Sequence, residues 1–345
     1  MNDRTILAAM SGGVDSAVTA LLLERGGCTV IGGTLLLRDG GETEAKEARI
    51  TADKLGIAHH IFDLRDEFAS QVIHPFIKAY EAGKTPNPCI LCNRTIKFGL
   101  LLERARALGC DGMATGHYIR REISPAGRIL LRCAADAGKD QSYVLYSLSQ
   151  DQLSHCCFPL GELSKAEVRA LAEEAGFSNA RKRDSQDICF IPDGDYAGYL
   201  ERAHGGPYPC GEFRTKDGRV LGQHRGLIRY TVGQRKGLGL ALPAPLYVCE
   251  KRIADNSVIL SDNASLFSRT LTANNINFIP FDRIEQPLRV MAKVRYAQAA
   301  QWATVEQIEP DRIRVTFDEA QRAIAPGQSV VLYDGDYVVG GGIIE

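Results

Sequence analysis

The sequence lacks the features that mark membrane, secreted and fibrous proteins. No apolar run approaches the roughly 18 residues that a membrane-spanning helix needs, and no long apolar stretch follows residues 1–4 as it would in a secretory signal. Internal repeats and low-complexity segments are also absent. Ten cysteines in 345 residues are too dilute for a secreted domain stapled by disulfides. We therefore expect a cytoplasmic protein with reduced thiols and no membrane partner.

An excess of one charge sign is also lacking. The 41 Lys and Arg residues against 42 Asp and Glu residues give a net charge of −1, which excludes a chain that is basic throughout. Residues 214–236 are a local exception, with seven Lys and Arg, one acid (Asp217) and a net charge of +6. Tyr230 and the nearby glycines suit stacking and backbone contacts with a looped-out RNA strand. A second basic run lies at residues 181–183. A solvated charged face is the alternative interpretation of such segments.

The first two hundred residues alternate between strand-like and helix-like patterns. Apolar runs predict strands, and apolar residues at helical spacing predict helices. The predicted strands cover residues 5–9, 28–37 and 110–114, and the predicted helices cover residues 15–25, 44–55 and 92–108. This alternation is typical of an α/β fold in which helices flank a parallel sheet.

The pattern changes after Gly205-Gly206-Pro207. Short strand-like runs separated by turn signals follow, and from about residue 288 apolar and polar residues alternate with a period of two. A hairpin turn is expected at Asp334-Gly335. This ending is typical of a small β-barrel or sandwich. We predict three domains: an α/β catalytic domain over 1–205, a small central domain over 206–272 and a C-terminal β-barrel over 273–345.

The most specific motif is Ser11-Gly12-Gly13-Val14-Asp15-Ser16, between the first predicted strand and helix. Two glycines allow a tight turn that presents backbone N–H groups, and the helix directs the positive end of its dipole at the same place. The motif is neither a Walker A loop nor a dinucleotide-binding loop, because the required Gly-Lys-Ser/Thr and Gly-x-Gly-x-x-Gly are missing. We predict a phosphate site in which Asp15 holds Mg²⁺. The alternative is a Ser/Gly turn that only caps the helix. The motif resembles the loop of the ATP-pyrophosphatase superfamily, whose members cleave ATP between the α and β phosphates.

The second group of candidates is formed by cysteines. Residues 85–94 read Thr-Pro-Asn-Pro-Cys-Ile-Leu-Cys-Asn-Arg, and we expect a helix to begin near Cys92. A thiol at a helix N-terminus close to Arg94 and Lys97 is expected to have a lowered pKa. Cys189 is a third candidate, and a closed zinc site is disfavoured because no second Cys-x-x-Cys and no His pair at zinc-ligand spacing is present. The other seven are expected to be buried small hydrophobes: Cys28, Cys110, Cys133, Cys156, Cys157, Cys210 and Cys249.

Six motifs in order carry a resemblance to a known family over nearly the full chain. They are the phosphate loop, Thr-Pro-Asn-Pro…Cys-Asn at residues 85–93, Ala-Thr-Gly-His-Tyr at 114–118, Lys-Asp-Gln-Ser-Tyr at 139–143, Ser-Gln-Asp-Ile-Cys at 185–189 and Tyr-Thr-Val-Gly-Gln-Arg-Lys-Gly at 230–237. Together they resemble the bacterial tRNA-specific 2-thiouridylases. The resemblance implies an adenine nucleotide alpha hydrolase-like catalytic domain and a tRNA-binding central domain. It also implies an enzyme that uses ATP to activate the C2 oxygen of the wobble uridine in tRNA and then replaces that oxygen with sulfur.

The resemblance also implies roles for individual residues. Cys189 would carry a persulfide, Cys92 would be its partner nucleophile, and the loop of Asn87, Pro88 and Cys89 would contact the target base. ATP would be bound by Ala9, Met10, Ser11, Gly12, Gly13, Val14, Asp15, Ser16, Leu35 and Gly116. The tRNA would be contacted by His117, Lys139, Asp140, Gln141, Arg295, Tyr296 and Gln328. ATP and Mg²⁺ would be the cofactors, and the partners would be tRNA and a sulfur donor or relay protein fed by a cysteine desulfurase.

This chain departs from many family members at Cys89, where they have an aspartate with an acid–base role. The three thiolates of Cys89, Cys92 and Cys189 could hold a four-iron four-sulfur cluster that delivers sulfide. The alternative is a relay in which Cys92 attacks a Cys189 persulfide and leaves a Cys92–Cys189 disulfide. Two other functional classes remain open. A small-molecule ATP-pyrophosphatase ligase or amidotransferase would not need these cysteines, and a non-catalytic RNA-binding or cluster-carrying protein would not need the intact phosphate loop.

Overall fold

Three sheets organise the chain in a computed structural model that describes residues 4–182 and 188–345. Residues 183–187 lie outside the described residues, and with them the last residue of the 181–183 basic run and the Ser-Gln-Asp part of the motif before Cys189. None of the helices within the described ranges is long and apolar enough to cross a bilayer.

The N-terminal part is an α/β domain around a parallel sheet, as predicted. Its strands are β1 (Thr5–Ala9), β2 (Thr29–Leu36), β3 (Ala58–Asp63), β4 (Gly112–Ala114), β5 (Ile119–Ile123), β6 (Ile129–Cys133) and β7 (Cys156–Cys157). Its helices are α1 (Val14–Arg25), α2 (Glu42–Leu55), α3 (Arg65–Phe68), α4 (His74–Glu81), α5 (Pro88–Cys92), α6 (Leu101–Ala107), α7 (Gln150–Ser154), α8 (Lys165–Glu174) and α9 (Tyr196–His204). The π-helical segments Ala69–Ile73 and Asn93–Leu100 join α3 to α4 and α5 to α6.

The strand order of the parallel sheet decides where a ligand fits. The order is β3-β2-β1-β4-β7, so β2 pairs with one side of β1 and β4 with the other. The carboxyl end of β1 is therefore the point where the strand order reverses, and open α/β sheets bind ligands at such points. Helix α1 begins there and is buried on both sides, because Val18 packs in a cluster with Val168 of α8 while Ala20 packs in another with Ala48 of α2.

The central domain is a four-stranded sheet with its own small core. Its strands are β8 (Gly211–Thr215), β9 (Val220–His224), β10 (Tyr247–Arg252) and β11 (Ser257–Ser261), in the order β10-β11-β8-β9. Tyr230 is 3% exposed, and its ring packs edge-on against Phe213 at 5.1 Å and His224 at 5.7 Å between centroids. The expectation that Tyr230 stacks on RNA is therefore wrong for this conformation, because its ring belongs to the core.

The C-terminal part is a closed barrel, and its predicted β character is confirmed. Its strands are β12 (Phe267–Phe278), β13 (Leu288–Lys293), β14 (Gln301–Glu309), β15 (Arg312–Arg322), β16 (Ser329–Asp334) and β17 (Tyr337–Ile344). The order β12-β15-β14-β13-β16-β17 closes through a β12–β17 pairing. The period-two pattern directs Val290, Ala292 and Val305 into the barrel core.

One contact between domains was not predicted. The β5–β6 hairpin of the α/β domain extends the barrel sheet, with Arg132 opposite Tyr337. Arg120 and Arg132 each donate a hydrogen bond of 2.7 Å to Asp336, in the turn between β16 and β17. The catalytic domain and the barrel are thus joined by a sheet pairing and a shared carboxylate.

Candidate functional site

The phosphate loop lies where β1 ends and α1 begins, at the reversal point of the parallel sheet. Gly12 has a φ of 74°, and a Cβ there would lie 2.6 Å from the carbonyl oxygen of Glu44, so both conformation and space require glycine. The Ser16 hydroxyl accepts a hydrogen bond of 3.1 Å from Ser11 N and donates one of 2.9 Å to the carbonyl of Gly13. The N-cap residue of α1 is Gly13, which has no side chain that could cap the N–H groups of the first turn. The N–H groups at the first turn of a helix suit an anion such as a phosphate.

Other predicted ATP-binding residues gather around this loop. Ala9 ends β1, Leu35 lies near the end of the adjacent strand β2, and Gly116 follows β4 on the other side. A Cβ on Gly116 would lie 2.9 Å from the carbonyl carbon of Asp15, so this glycine allows close packing on the loop. Met10 and Val14 are 2% and 3% exposed, which leaves mainly their backbone for a ligand. Their roles in binding ATP stay predictions.

The carboxylate of Asp15 is already occupied. Lys165, the first residue of α8, donates hydrogen bonds of 2.7 and 2.8 Å to its two oxygens, and the Tyr118 hydroxyl donates a third of 2.7 Å. In this conformation Asp15 does not fit the predicted role of Mg²⁺ ligand, because an ammonium group lies where the cation would bind. The arrangement instead places a buried cation beside the phosphate loop.

Sequence reasoning missed Lys165, although a local signal was available. Ser164 accepts from Glu167 N at 3.3 Å, and the Glu167 carboxylate accepts from Ser164 N at 2.8 Å, which together form a capping box. The pattern Ser-x-x-Glu would have predicted a helix that begins at Lys165. It would not have predicted the contact with Asp15, 150 residues away.

Asn179 is a second residue that the sequence did not single out. It is 7% exposed, and its side-chain amide donates a hydrogen bond of 3.1 Å to the carbonyl of Gly12. Its Oδ1 has no hydrogen-bond partner within the described part of the chain. Lys182, three residues on, is paired with Glu47 of α2. The segment upstream of Cys189 is thus fastened to the phosphate loop and to the helix beside it.

The cysteine loop differs from expectation in where its helix begins. Helix α5 begins at Pro88, and the N-cap residue Asn87 accepts a hydrogen bond of 3.1 Å from Cys89 N. Cys89 therefore lies exposed in the first turn, and Cys92 lies one turn later at 6% exposure. Burial raises the pKa of the Cys92 thiol to about 12, and only the weaker effect of Lys97 acts in the opposite direction. The prediction of a lowered pKa is wrong because Cys92 is not at the helix N-terminus.

The three candidate cysteines are neighbours, although they do not form a ligand set. Cys189 is an exposed residue, but enough protein surrounds its sulfur to raise the thiol pKa, with Lys97 again acting in the opposite direction. Cys89 and Cys189 are both close enough to Cys92 to raise the pKa of its thiol. Within residues 4–182 and 188–345, no group of three His, Cys, Asp or Glu side chains is placed to hold a metal ion. Cys92 and Cys189 are both free thiols, with no disulfide between them.

The other seven cysteines follow the expectation of buried hydrophobes with one exception. Cys28, Cys110 and Cys156 are buried, and three more are partly buried: Cys133, Cys157 and Cys249. Cys210 is exposed, so for this residue the expectation is wrong.

Two of the predicted tRNA-contacting motifs meet at the boundary of the α/β domain and the barrel. The Tyr296 hydroxyl donates a hydrogen bond of 3.0 Å to the carbonyl of Asp140, 156 residues away in the chain. Gln141 accepts 2.9 Å from Tyr118 N, which fixes the Lys139-Asp140-Gln141 turn beside the residues that surround Asp15. Arg295 donates to the carbonyl of Ala323, and its partial burial lowers its pKa. These residues come together, and their contact with tRNA stays a prediction.

His117 and Gln328 are directed into the protein. His117 is 9% exposed, its Nδ1 lies 2.8 Å from the Thr115 hydroxyl, and burial holds its pKa well below the usual value. Gln328 donates a hydrogen bond of 2.9 Å to the carbonyl of Thr85. The resemblance implies that both side chains contact tRNA, whereas in this conformation both make hydrogen bonds within the protein.

The basic segment carries less free charge than its sequence suggests. Arg214 and Arg229 form ion pairs of 2.7 Å with Glu212 and Glu201. In the upstream basic run, Arg181 is paired with Glu173. The remaining five cations of residues 214–236 are exposed: Lys216, Arg219, Arg225, Arg235 and Lys236.

Comparison with known proteins covers nearly the whole chain. Three family models match in succession: a tRNA methyl transferase HUP domain over residues 4–193, a tRNA methyl transferase PRC-barrel domain over 201–262 and an aminomethyltransferase beta-barrel domain over 268–344. Among solved structures, the U34-tRNA thiolase NcsA from Methanococcus maripaludis with its 4Fe–4S cluster shares 19% identity, with a TM-score of 0.38 over 59% of this chain and 68% of that chain. That likeness is too weak to support any conclusion about the site.

Relatives of similar length match end to end. The tRNA-specific 2-thiouridylase MnmA of Clostridioides difficile (strain 630) is 45% identical over 355 residues, which cover 99% of this chain and 98% of that protein. The tRNA-specific 2-thiouridylase MnmA of Acetivibrio thermocellus is 44% identical over 359 residues and is covered completely, as is this chain. The six ordered motifs and this full-length identity agree, and the chain belongs to the tRNA-specific 2-thiouridylase family.

Proposed function

We propose that this protein is an ATP-dependent tRNA-uridine 2-sulfurtransferase that acts on the wobble uridine. The observation that carries the proposal is that one domain holds both a phosphate loop and a group of three cysteines. It agrees with the identity of about 45% to 2-thiouridylases over the length of the chain. The first step joins AMP to the C2 oxygen of the base and releases pyrophosphate. In the second step sulfur replaces that oxygen, and AMP leaves.

The phosphate loop suits the first step by position and charge. Phosphoryl transfer depends chiefly on holding the reacting groups in line and neutralising charge on the phosphates. The N–H groups at the start of α1 are directed at the loop, and the Lys165 ammonium cancels the charge of Asp15 beside it. Because Asp15 is not free to bind a metal here, any Mg²⁺ that accompanies ATP would need other ligands, or Lys165 would have to move away.

For the second step, the proposed sulfur route is a relay between Cys189 and Cys92. A sulfur-relay protein fed by a cysteine desulfurase leaves a persulfide on the exposed Cys189. The terminal sulfur attacks C2, a C–S bond forms, and the C2–O bond breaks as AMP leaves. Cys92 must then lose its proton, which requires a conformation in which it is less buried, because burial raises its pKa here. Its thiolate attacks the Cys189 sulfur, and the electron pair of the broken S–S bond stays on the base as its new 2-thio group. Cys92 and Cys189 are left as a disulfide, which a dithiol reductant returns to two thiols.

The second candidate for sulfur delivery is a four-iron four-sulfur cluster on Cys89, Cys92 and Cys189. Thiolates are the ligands that such clusters use, and the three residues are neighbours. The described conformation does not fit a cluster, because no group of three ligands has converged within the described residues. A cluster therefore requires these segments to rearrange.

Replacing Cys89 with aspartate separates the two routes. Under the relay the variant keeps its activity, because Cys89 takes no part in it, whereas under the cluster route the activity is lost with one of three ligands. Anaerobically purified wild-type protein with broad visible absorbance and about four irons per chain would support the cluster. Colourless, iron-free and active protein would exclude it.

Nucleoside analysis of tRNA tests the proposed function itself. In a cell that lacks the gene, and has no second such enzyme, 2-thiouridine at the wobble position should disappear and return with the wild-type gene. The matched control is a gene in which Cys210, an exposed cysteine outside the candidate group, is replaced by serine. Persistence of 2-thiouridine in the deleted strain would overturn the proposal.

A further inference from the structure

The segment that precedes the target-base loop is held by the barrel. Thr85 N donates a hydrogen bond of 2.8 Å to the carbonyl of Pro326, and the side-chain amide of Gln328 donates one of 2.9 Å to the carbonyl of Thr85. Gly327, between them, has a φ of 89°, and a Cβ there would lie 2.8 Å from Lys84 Cβ and 2.9 Å from Thr85 N. Both backbone polar groups of Thr85 are thus satisfied by one tight turn of the barrel domain.

The central domain holds the same segment from strand β10 and the residue after it. A Cβ on Gly83 would lie 2.8 Å from the Ile253 side chain, so the two chains are in close contact. The Lys251 ammonium lies 3.5 Å from the carbonyl of Lys84 and 5.9 Å from the centre of the Tyr80 ring. This enclosure desolvates the ammonium and lowers the pKa of Lys251 to about 8. Residues 83–85 are therefore fastened to two domains that lie later in the chain.

The link from this segment to the target-base loop is short and stiff. Only Pro86 lies between Thr85 and Asn87, and its ring fixes one of the two soft backbone dihedrals of the residue. Asn87 caps α5 and holds Cys89 N. A displacement at Thr85 is therefore passed to the first turn of α5, which carries Cys89 and, one turn later, Cys92.

We propose that Gln328 and Lys251 are positioning residues, through which the barrel and the central domain set the target-base loop in place. Gln328 does so by its hydrogen bond to Thr85, and Lys251 by its contacts with Lys84 and Tyr80. The proposal rests on the proposed function for its activity measurement. Gln328 then contacts Thr85 of the protein itself, whereas the family resemblance implies a contact with tRNA.

Two replacements of Gln328 separate positioning from tRNA contact. Gln328→Met keeps the length of the side chain and removes the donor, and Gln328→Lys keeps a donor. For Gln328→Met we expect kcat for thiolation to fall three- to tenfold while Kd for tRNA stays within twofold, and for Gln328→Lys we expect kcat close to that of the wild type. Gln286→Ala, an exposed glutamine of the barrel, is the matched control. A raised Kd for tRNA with unchanged kcat in Gln328→Met, or no change in either quantity, would overturn the proposal.

Hydrogen exchange provides a second measurement that does not depend on activity. Amides of residues 85–92 should exchange at least threefold faster in Gln328→Met and in Lys251→Met. Their exchange rates should be unchanged in Gln286→Ala. Amide exchange rates equal to those of the wild type in all three variants would overturn the positioning role, whatever the activity of the variants. If the two Met variants exchange faster but the wild-type protein does not thiolate tRNA, the positioning role stands and only the proposed function is refuted.

Discussion

Replacing Lys165 with methionine measures what its buried ammonium does for the phosphate loop. The ammonium lies 2.7 and 2.8 Å from the oxygens of Asp15, and the side chains of Lys165 and Asp15 are 11% and 30% exposed. Removing one partner of a fully buried ion pair costs about 3–5 kcal/mol. Because Asp15 is partly exposed, we expect the free energy of unfolding to fall by about 1–3 kcal/mol.

The same change should weaken ATP binding, because it leaves an uncompensated carboxylate beside the phosphates. Two unit negative charges about 6 Å apart repel by roughly 3 kcal/mol at an effective dielectric constant of about 20. Solvent and salt screening reduce this to about 1–2 kcal/mol, so Kd for ATP should rise roughly five- to thirtyfold.

Isothermal titration with an ATP analogue that resists cleavage between the α and β phosphates measures this effect, and urea unfolding measures stability. Lys165→Arg keeps the charge and is the matched control. A double variant with Lys165→Met and Asp15→Asn removes both charges and should recover most of the affinity. An ATP affinity of Lys165→Met within twofold of the wild type, or a double variant as weak as the single one, would refute this reasoning.

Three further predictions concern thiol reactivity, pH and salt. Because burial raises the pKa of Cys92 to about 12, iodoacetamide at pH 7.5 should alkylate it far more slowly than the exposed Cys89, as quantified by peptide mass spectrometry, and equal rates would contradict its burial. Burial holds the pKa of His117 well below that of an unfolded histidine, so below pH of about 6.5 the unfolded chain binds the extra proton. The free energy of unfolding should then decrease by up to about 1.4 kcal/mol per pH unit as pH falls, and His117→Gln should weaken this dependence in urea titrations; an unaltered slope would count against it. Binding of tRNA should weaken with salt, and replacing the exposed Arg235 and Lys236 with glutamine should reduce the log–log slope by about two in fluorescence polarisation; a flat wild-type dependence would exclude this surface.

Local patterns predicted what depends on neighbouring residues in the chain. The Ser11–Ser16 motif marks a strand, a tight turn and a helix, and the structure has all three in that order. The alternation near residues 288–293 predicted a barrel strand because a side-chain period of two separates core from solvent. Both signals span fewer than ten residues, and within one helix or strand the backbone period determines which face each side chain is on.

The errors have a different origin, in contacts between distant residues or in the exact start of a helix. Helix α5 begins at Pro88 because proline is favoured at the first helical position and Asn87 provides the cap, so Cys92 moves from an exposed end to a buried second turn. The partner of Asp15 is Lys165, which no spacing in the sequence identifies. Both features change the electrostatics of the candidate site. The first follows from a local proline and cap, and the second follows from packing between distant residues.

A chain of nearly zero net charge can still present a cationic surface, because packing decides which cations remain unpaired. Counting residues 214–236 gives +6, yet Glu212 and Glu201, which lie outside this window, pair with two of its seven cations. The loop that ends in Arg235 and Lys236 contains Gly233, which has a φ of 91°, and a Cβ there would lie 2.7 Å from Ala323 Cβ of the barrel. This contact brings the loop beside Arg295, on the domain that also holds Thr85. If tRNA binds here, its phosphates meet cations from the central domain and the barrel, and that grouping depends on the domain contacts more than on the local charge count.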